Sequence, residues 1–141
     1  TLGLGINVED SPTVLDLLCT EECSFKDVVQ DTYVEGLHIL PADISLAIAE
    51  NKLSNIPAKE YILREKLEKV NYDYIIIDTS PTFGILMTNA FLVAEHVIVP
   101  AQLGFFSLAG LHSFLDVVTS TNKRVGAIVK HKIKLMGILL T

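Results

Sequence analysis

The sequence predicts an α/β domain in which a mostly parallel sheet lies between helices, a three-layer α/β/α arrangement. Three short apolar segments have the length and residue content of buried strands: Tyr74–Asp78, His96–Ala101 and Ile133–Leu140. Segments with helical spacing of apolar residues separate these strands. Because strands that alternate with helices usually pair in parallel, the order of elements predicts a sheet with helices on its faces.

Two short helices and a strand are expected in the first 41 residues. Thr13 follows a Ser-Pro pair and precedes an apolar face that contains Leu15 and Leu18, so a helix is expected to begin there. A second short helix is expected over Ser24–Gln30. The segment Leu37–Leu40 reads as a short strand because Pro41, which has no backbone N–H, ends it.

Four more helices are expected further along the chain. Asp43 is a suitable cap for a helix that runs to about Lys52, and Pro57 opens another that runs to Val70. After a turn over residues 79–83, the pattern predicts a helix over Gly84–Ala94. A long amphipathic helix is expected from Phe105 or Ser107 to about Asn122.

Composition indicates one globular domain over residues 1–141. Half of the 141 residues are hydrophobic and 20% are charged, which is far from the composition of a disordered chain. No apolar run reaches the roughly 18 to 20 residues that a membrane-spanning helix needs, and no signal peptide is recognisable. Cys19 and Cys23 have no other metal-ligating side chains near them except acids, so we interpret them as free thiols of a cytoplasmic protein.

The charge is unevenly distributed along the chain. The net charge is −6, yet all 17 acidic residues lie at or before Asp116, and the residues that follow contain five basic side chains. These are Lys123, Arg124, Lys130, Lys132 and Lys134. Such a cluster can contact a phosphate backbone, or it can simply be a solvated helix end and loop.

Asp78 is the side chain that most directly suggests chemistry. It ends the apolar run Tyr74-Ile75-Ile76-Ile77, and ligands of open parallel sheets bind at the carboxyl ends of strands. A carboxylate in that place needs a cation, a hydrogen-bond donor or solvent. One interpretation is a Walker B aspartate that holds Mg²⁺ directly or through water, and the other is a cap for the following turn or helix.

The residues around Asp78 resemble the Walker B and switch II signature of the ParA/MinD family of P-loop ATPases. The segment from Tyr72 to Pro81 reads YDYIIIDTSP, and the helix that follows carries the asparagine Asn89 of the family's L-x-x-N-A-L pattern. Further similar blocks occur in the family's order. They read GLHILPA from Gly36, LRE from Leu63, VIVPAQ from Val97, FSLAGL from Phe106 and GILLT from Gly137.

The TLGLG opening, the LPA strand and the FSLAGL helix favour the plasmid and chromosome partition branch over the MinD branch. The resemblance implies the P-loop NTPase fold and ATP with Mg²⁺ as cofactors. It also implies a homodimer in the cytoplasm at the nucleoid that binds non-specific DNA and a ParB-like partner. No membrane partner is expected.

The resemblance also assigns roles to individual residues. Asp78 would be the catalytic and metal-binding carboxylate, with Mg²⁺ held through water. Thr79, Ser80, Pro81 and Gly84 would form switch II at the nucleotide, and Gln102 would end the next strand at the same cleft. Asn89 is either a capping or packing amide or a residue of the dimer contact.

The departures from the family pattern matter for activity. The phosphate loop K-G-G-x-G-K-[ST] does not occur in the 141 residues, and its N–H groups and lysines would hold the phosphates. We therefore expect this chain alone to be inactive and the intact parent protein to hydrolyse ATP. Three alternatives remain: a non-catalytic binding module, a MinD-like membrane-associated division ATPase, and another enzyme class on a similar fold, such as nitrogenase iron-protein or dethiobiotin synthetase relatives.

Overall fold

The computed structural model describes Leu4, Ile6, Val8 and residues 11–80, 82–102, 105–124 and 131–141. The chain divides into two compact units, Thr1–Asn89 and Ala90–Thr141, and the boundary falls within one helix. The expectation of a single domain over residues 1–141 stays a prediction.

The first unit begins with two short helices, each started by a capping box. Helix α1 is Val14–Cys19, and the Asp16 carboxylate accepts hydrogen bonds from the backbone N–H and the hydroxyl of Thr13 at 2.8 and 3.1 Å. Helix α2 is Phe25–Val28, and the Asp27 carboxylate accepts the same pair of bonds from Ser24 at 2.8 and 2.6 Å. In each pair, the bond from the backbone of Thr13 or Ser24 occupies an N–H group at the helix start. Both predicted helix starts are confirmed.

A small antiparallel hairpin follows the two helices. Strand β1 is Gln30–Asp31 and strand β2 is His38–Ile39, with Gln30 opposite Ile39. Gly36 in the connecting turn has φ +76°, a left-handed conformation that glycine adopts without a Cβ penalty. The predicted strand over residues 37–40 is therefore present but only two residues long.

The next two predicted helices each begin as a turn of 3-10 helix. Asp43 accepts a hydrogen bond from the backbone N–H of Ser45 at 2.8 Å, so it caps the 3-10 turn Ile44–Ile48 as expected. Helix α3, Ala49–Leu53, continues it. The second helix starts two residues later than predicted, with the 3-10 turn Lys59–Tyr61 and then α4, Ile62–Leu67. Ala58, directly before this turn, has φ +55°. This is a left-handed conformation, so Ala58 is not part of the right-handed helical segment.

The core of the first unit is built from the inner faces of α1, α3 and α4. Leu17, Ala49 and Leu53 are fully buried, and Val28 is 1% exposed. Also buried in this unit are Ile6, Leu15, Leu18, Leu63, Leu67 and Met87. Lys66 donates to the carbonyls of Thr20, Glu21 and Cys23 at 3.1, 2.8 and 2.6 Å, which places a positive charge beyond the carboxyl end of α1.

The second unit contains a parallel strand pair joined by a long helix. Helix α5, Ile85–Val93, enters this unit at Ala90 and leads to strand β3, His96–Ala101. Helix α6, Phe105–Arg124, connects β3 to strand β4, Lys134–Leu140. The two strands pair in parallel, with His96 opposite Lys134 and Ala101 opposite Leu140. This β-α-β order confirms the predicted α/β class.

Two polar side chains connect the elements of the second unit. Asn122 near the end of α6 exchanges two 2.9 Å hydrogen bonds with the backbone of Ile133, just before β4. The His131 ring nitrogen Nε2 lies 3.2 and 3.0 Å from the carbonyls of Phe91 and Ala94, at the carboxyl end of α5. The rings of Phe91 and Phe114 pack edge to face with centroids 5.9 Å apart.

The strands of this unit are less buried than the sequence predicts. Ile98 is 54% exposed, and Leu139 and Leu140 of β4 are 57% and 62% exposed. Uninterrupted apolar runs are typical of strands covered on both faces by helices. Among the described residues β3 and β4 form a sheet of two strands, so much of their apolar surface is uncovered.

Candidate nucleotide-binding site

The apolar segment that leads to Asp78 is not a strand, which corrects the prediction for Tyr74–Asp78. The segment is irregular, and within the described parts of the chain it pairs with no other segment. Tyr74 is 87% exposed, Ile75 48% and Ile76 93%. The physical reason is that a strand is defined by hydrogen bonds to a neighbour, and no described segment supplies one.

Asp78 itself is an exposed carboxylate at the end of this segment. Within the described residues it makes no ion pair with a lysine, arginine or histidine. The carboxylate that caps the next helix belongs to Glu50, whose Oε1 accepts a 3.2 Å hydrogen bond from the Ile85 N–H. The capping alternative for Asp78 at the start of α5 therefore finds no support, and its oxygens are accessible to a ligand.

Residues 79–84 connect Asp78 to helix α5. Thr79 and Ser80 are exposed, and the Ser80 hydroxyl is hydrogen bonded to the Thr82 hydroxyl at 2.7 Å. Pro81 lies outside the described residues. Gly84 is half-buried at the start of α5, and its carbonyl accepts hydrogen bonds from the backbone N–H and the hydroxyl of Thr88 at 3.1 and 3.0 Å. The loop between Asp78 and α5 therefore ends at a fixed point.

Within the first unit, Asn89 is a packing amide, which is the first of its two interpretations, rather than a residue of a dimer contact. Its side chain is 1% exposed. Its Oδ1 accepts from the Leu63 N–H at 3.0 Å, and its Nδ2 donates to the carbonyls of Lys59 and Ile85, both at 2.9 Å. The Leu63 N–H belongs to the first turn of α4 and has no partner within that helix, so Asn89 joins α5 to the start of α4.

Gln102 belongs to the second unit, where it directly follows β3 and is exposed. The neighbouring strand ends at the same edge, because the Thr141 N–H donates to the Ala101 carbonyl at 3.0 Å. Gln102 is thus at the carboxyl end of a parallel pair, as the sequence predicts. Of the predicted site residues, the first unit contains Asp78, Thr79, Ser80 and Gly84, which are close in sequence. Gln102 belongs to the second unit.

Glu50 is a residue of the site that sequence reasoning missed. Nothing in the sequence around Glu50 shows that it contacts a residue 35 positions later. The contact also requires a glycine at position 84, because a Cβ added there would lie 2.6 Å from the Glu50 Cδ. A glycine at a helix start beside a distant glutamate is visible only in three dimensions.

The described residues contain no group of three or more His, Cys, Asp or Glu side chains that could hold a metal ion. Cys19 and Cys23 are free, as expected. Burial raises the pKa of both thiols, and Asp16 adds to the increase at Cys19 as Asp27 does at Cys23. A metal at Asp78 would therefore take most of its ligands from water or from the nucleotide.

The basic segment is only partly described. Lys123, Lys132 and Lys134 are exposed. The side chain of Arg124 and all of Lys130 lie outside the described parts. No helix in the described part of the chain has the length and apolar character needed to cross a bilayer.

Curated relatives match almost the whole chain. Residues 1–134 match the AAA domain family. The sporulation initiation inhibitor protein Soj of Bacillus subtilis is 35% identical over 143 residues, covering 100% of this chain and 55% of Soj. The chromosome partitioning protein ParA of Caulobacter vibrioides is 32% identical over 143 residues, covering 99% of this chain and 52% of ParA. The chain spans about half the length of the curated relatives it matches.

Solved structures share the fold. Cobyrinic acid a,c-diamide synthase from Mycobacterium smegmatis, with bound ATP analog and magnesium, has a TM-score of 0.84 at 30% identity over 99% of this chain and 56% of its own. An ATP complex of a McdA variant from Cyanothece has a TM-score of 0.85 at 25% identity over 98% of this chain and 52% of its own. Together with the β-α-β unit, these likenesses define the class as an α/β fold of the P-loop ATPases.

Within that class, the chain belongs to the AAA domain family, as a ParA/Soj-like member of the ParA/MinD group. The family resemblance predicted from the residues around Asp78 is thereby confirmed. The roles of individual residues, the partners and the activity of the whole protein are proposals.

Proposed function

We propose that the protein containing this chain is a nucleotide-driven DNA partition switch. ATP and Mg²⁺ would support a homodimer that binds DNA non-specifically at the nucleoid, in the cytoplasm, and a ParB-like partner would trigger hydrolysis. Support comes from the partition relatives Soj and ParA and from the partition-type TLGLG, LPA and FSLAGL blocks. The fold alone would not support a partition function, because a protein named cobyrinic acid a,c-diamide synthase has a similar fold.

The observation that carries the proposal is the state of Asp78. It ends the YIIID run, is exposed, and forms no ion pair within the described residues. A carboxylate that ends an apolar run and serves only stability would be expected to cap a helix or pair with a cation. Glu50 already caps α5, so within the described part of the chain Asp78 neither caps this helix nor pairs with a cation.

Asp78 fits Mg²⁺, and the 141 residues fit ATP only in part. Mg²⁺ prefers oxygen ligands, keeps several waters and is typically held by one or two carboxylates together with substrate phosphates. Asp78 supplies one accessible carboxylate of that kind. The K-G-G-x-G-K-[ST] loop, whose N–H groups would hold the phosphates, does not occur in the sequence. When bound, Mg²⁺ would neutralise charge on the transferring phosphoryl group.

The residues after Asp78 would make the site a switch. Thr79, Ser80 and Pro81 would contact the region of the nucleotide, and Gly84 would be the end at which the loop meets α5. In γ-phosphate switches a loop of this kind is ordered by the nucleotide and released on hydrolysis. The exposed hydroxyls of Thr79 and Ser80 are available for such contacts. Gln102 would contribute from the end of β3.

The test uses the full-length gene product. We expect slow ATP hydrolysis that needs Mg²⁺, binding to DNA of unrelated sequence only with ATP, and faster hydrolysis when DNA and a ParB-like partner are added. DNA binding should weaken with salt, because lysine contacts to phosphates release counterions. DNA binding that is equal with ADP, ATP and no nucleotide would contradict the switch, even if ATP is hydrolysed.

A second candidate concerns the 141-residue chain by itself, which would be a non-catalytic binding module. The absence of the phosphate-loop motif from its sequence favours this reading. The melting temperature of the isolated chain should then not change with MgATP, because Asp78 alone cannot hold a triphosphate. A clear upward shift in melting temperature would contradict it. A MinD-like membrane role would instead show as ATP-dependent binding to anionic vesicles by the full-length product.

A further inference from the structure

The contact between Glu50 and the start of α5 joins two parts of the first unit that are far apart in sequence. Glu50 lies on α3, one residue after Ala49, and its Oε1 accepts the hydrogen bond from Ile85 N at 3.2 Å. Ala49 and Leu53 on the same helix are fully buried, so the backbone of α3 is held firmly. The Glu50 carboxylate is therefore presented to α5 from a fixed support.

Gly84 is the residue that allows this contact. The Glu50 carboxylate lies against its Cα, and a Cβ at this position would overlap Oε1 and lie 2.6 Å from Cδ. The Gly84 carbonyl is held by the two bonds from Thr88 on the other side. Any larger side chain at position 84 must displace the Glu50 carboxylate.

We propose that Glu50 is a positioning residue for the loop that carries Asp78, Thr79 and Ser80. Its carboxylate fixes Gly84 and the first turn of α5, and this sets where residues 79–83 must end. The negative charge is favourable there because the first N–H groups of a helix carry partial positive charge. The contact is observed whether or not the proposed function holds, whereas its importance for a switch rests on the proposed function.

The first measurement is amide hydrogen exchange of residues 82–88 in the full-length protein without nucleotide. Glu50→Ala should raise exchange at these amides by about two- to fivefold, the size of effect expected for a carboxylate at a helix N-terminus. Glu50→Gln should give a smaller rise, because its amide oxygen can still accept from Ile85 N. Gly84→Ala should reproduce the Glu50→Ala effect by displacing the carboxylate.

Glu65→Ala is the matched control. Glu65 is an exposed glutamate on the short helix α4 and lies outside the predicted site. It should leave exchange at residues 82–88 unchanged. If Glu50→Ala also leaves these amides unchanged, or raises exchange equally across the whole first unit, Glu50 does not position this loop.

The second measurement separates a positioning role from simple stabilisation. In an ATPase assay Glu50→Ala should lower kcat by about two- to fivefold with an unchanged KM for ATP, because a misplaced loop affects the reaction more than ground-state binding. Glu50→Gln should recover part of kcat. A rise in KM at unchanged kcat would contradict positioning. If the wild-type protein hydrolyses no ATP, the proposed function fails while hydrogen exchange still decides the role of Glu50.

Discussion

At the scale of single residues, Asn89 shows how one amide can hold two helices together. Both polar atoms of its side chain form hydrogen bonds. The oxygen accepts from an N–H in the first turn of α4, and the nitrogen donates to one carbonyl before α4 and to one in α5. Its 1% exposure means that water cannot replace these bonds. Unpaired backbone groups in such a place cost more than an average hydrogen bond contributes.

We therefore expect Asn89→Ala to lower the free energy of unfolding by about 2 to 4 kcal/mol. Asn89→Asp should cost at least as much, because a carboxylate oxygen would face the carbonyls of Lys59 and Ile85. Urea denaturation measures both, and Asn55→Ala, at an exposed asparagine, is the control with a change below about 0.5 kcal/mol. A loss below 1 kcal/mol (roughly the worth of one ordinary hydrogen bond) for Asn89→Ala would contradict the packing role.

The thiols give a second prediction at this scale. Burial raises the pKa of Cys19 and of Cys23, so the reactive thiolate fraction at neutral pH is lower than for a free cysteine. Alkylation by iodoacetamide should be slow at pH 7 and should still be rising as the pH passes 9.0, the ordinary thiol value. The variants Cys19→Ser and Cys23→Ser let each thiol be followed alone. A rate that levels off well below that pH would show a lowered pKa and contradict the burial argument.

At the scale of elements, the start of α4 is set by the backbone at Ala58. Its φ of +55° and ψ of +27° are in the left-handed region, where an L-residue with a Cβ is strained. This conformation turns the chain after residues 54–57 so that Lys59–Tyr61 can begin the next helical segment. The predicted helix from Pro57 consequently begins late.

Ala58→Gly should raise the free energy of unfolding by about 0.5 to 1 kcal/mol, because removing the Cβ relieves more strain than the added freedom of the unfolded chain costs. Thermal or urea denaturation measures the change. Ala47→Gly is the matched control, since Ala47 is exposed within the 3-10 turn Ile44–Ile48 and has no positive φ. It should be destabilising by a similar amount. A loss of stability in both variants would contradict the strain at Ala58.

An element can be predicted from sequence when the hydrogen bonds that define it join residues close together in the chain. The starts of α1 and α2 depend on Thr13 with Asp16 and on Ser24 with Asp27, three residues apart, so the local pattern is sufficient. The bounds of β3 coincide with the prediction because Pro100 and the apolar run mark them. The segment Tyr74–Asp78 also contains an apolar run, but a strand needs a partner elsewhere in the chain. The contact of Glu50 with Ile85 is invisible in the sequence for the same reason.

At the scale of the whole molecule, the exposed apolar surface is the most consequential feature. Tyr74 and Ile76 are 87% and 93% exposed, and β4 exposes Met136 and Leu140, each to 62%. Contiguous apolar surface and strand-forming segments without a partner favour association between chains. The 141-residue chain in isolation is therefore expected to self-associate at micromolar concentrations.

Ile76→Lys should reduce that self-association, because it places a charge within the β-prone run Tyr74–Ile77, which pairs with no other described segment. Light scattering during concentration of the isolated chain measures the effect. Ile44→Lys is the matched control, since Ile44 is also 93% exposed but lies in a 3-10 turn. Equal improvement by both substitutions would show that general surface hydrophobicity, rather than the unpaired segment, causes association.

The central claim, that Asp78 holds magnesium at a nucleotide site, is tested most directly by nucleotide affinity in the full-length protein. Titration calorimetry with an ATP analog should show that Asp78→Ala weakens binding at least about tenfold with Mg²⁺ present and has no effect in EDTA. Asp73→Ala, at an exposed aspartate of the same segment, should bind as the wild type does under both conditions. Wild-type affinity of Asp78→Ala in the presence of Mg²⁺ would contradict the account.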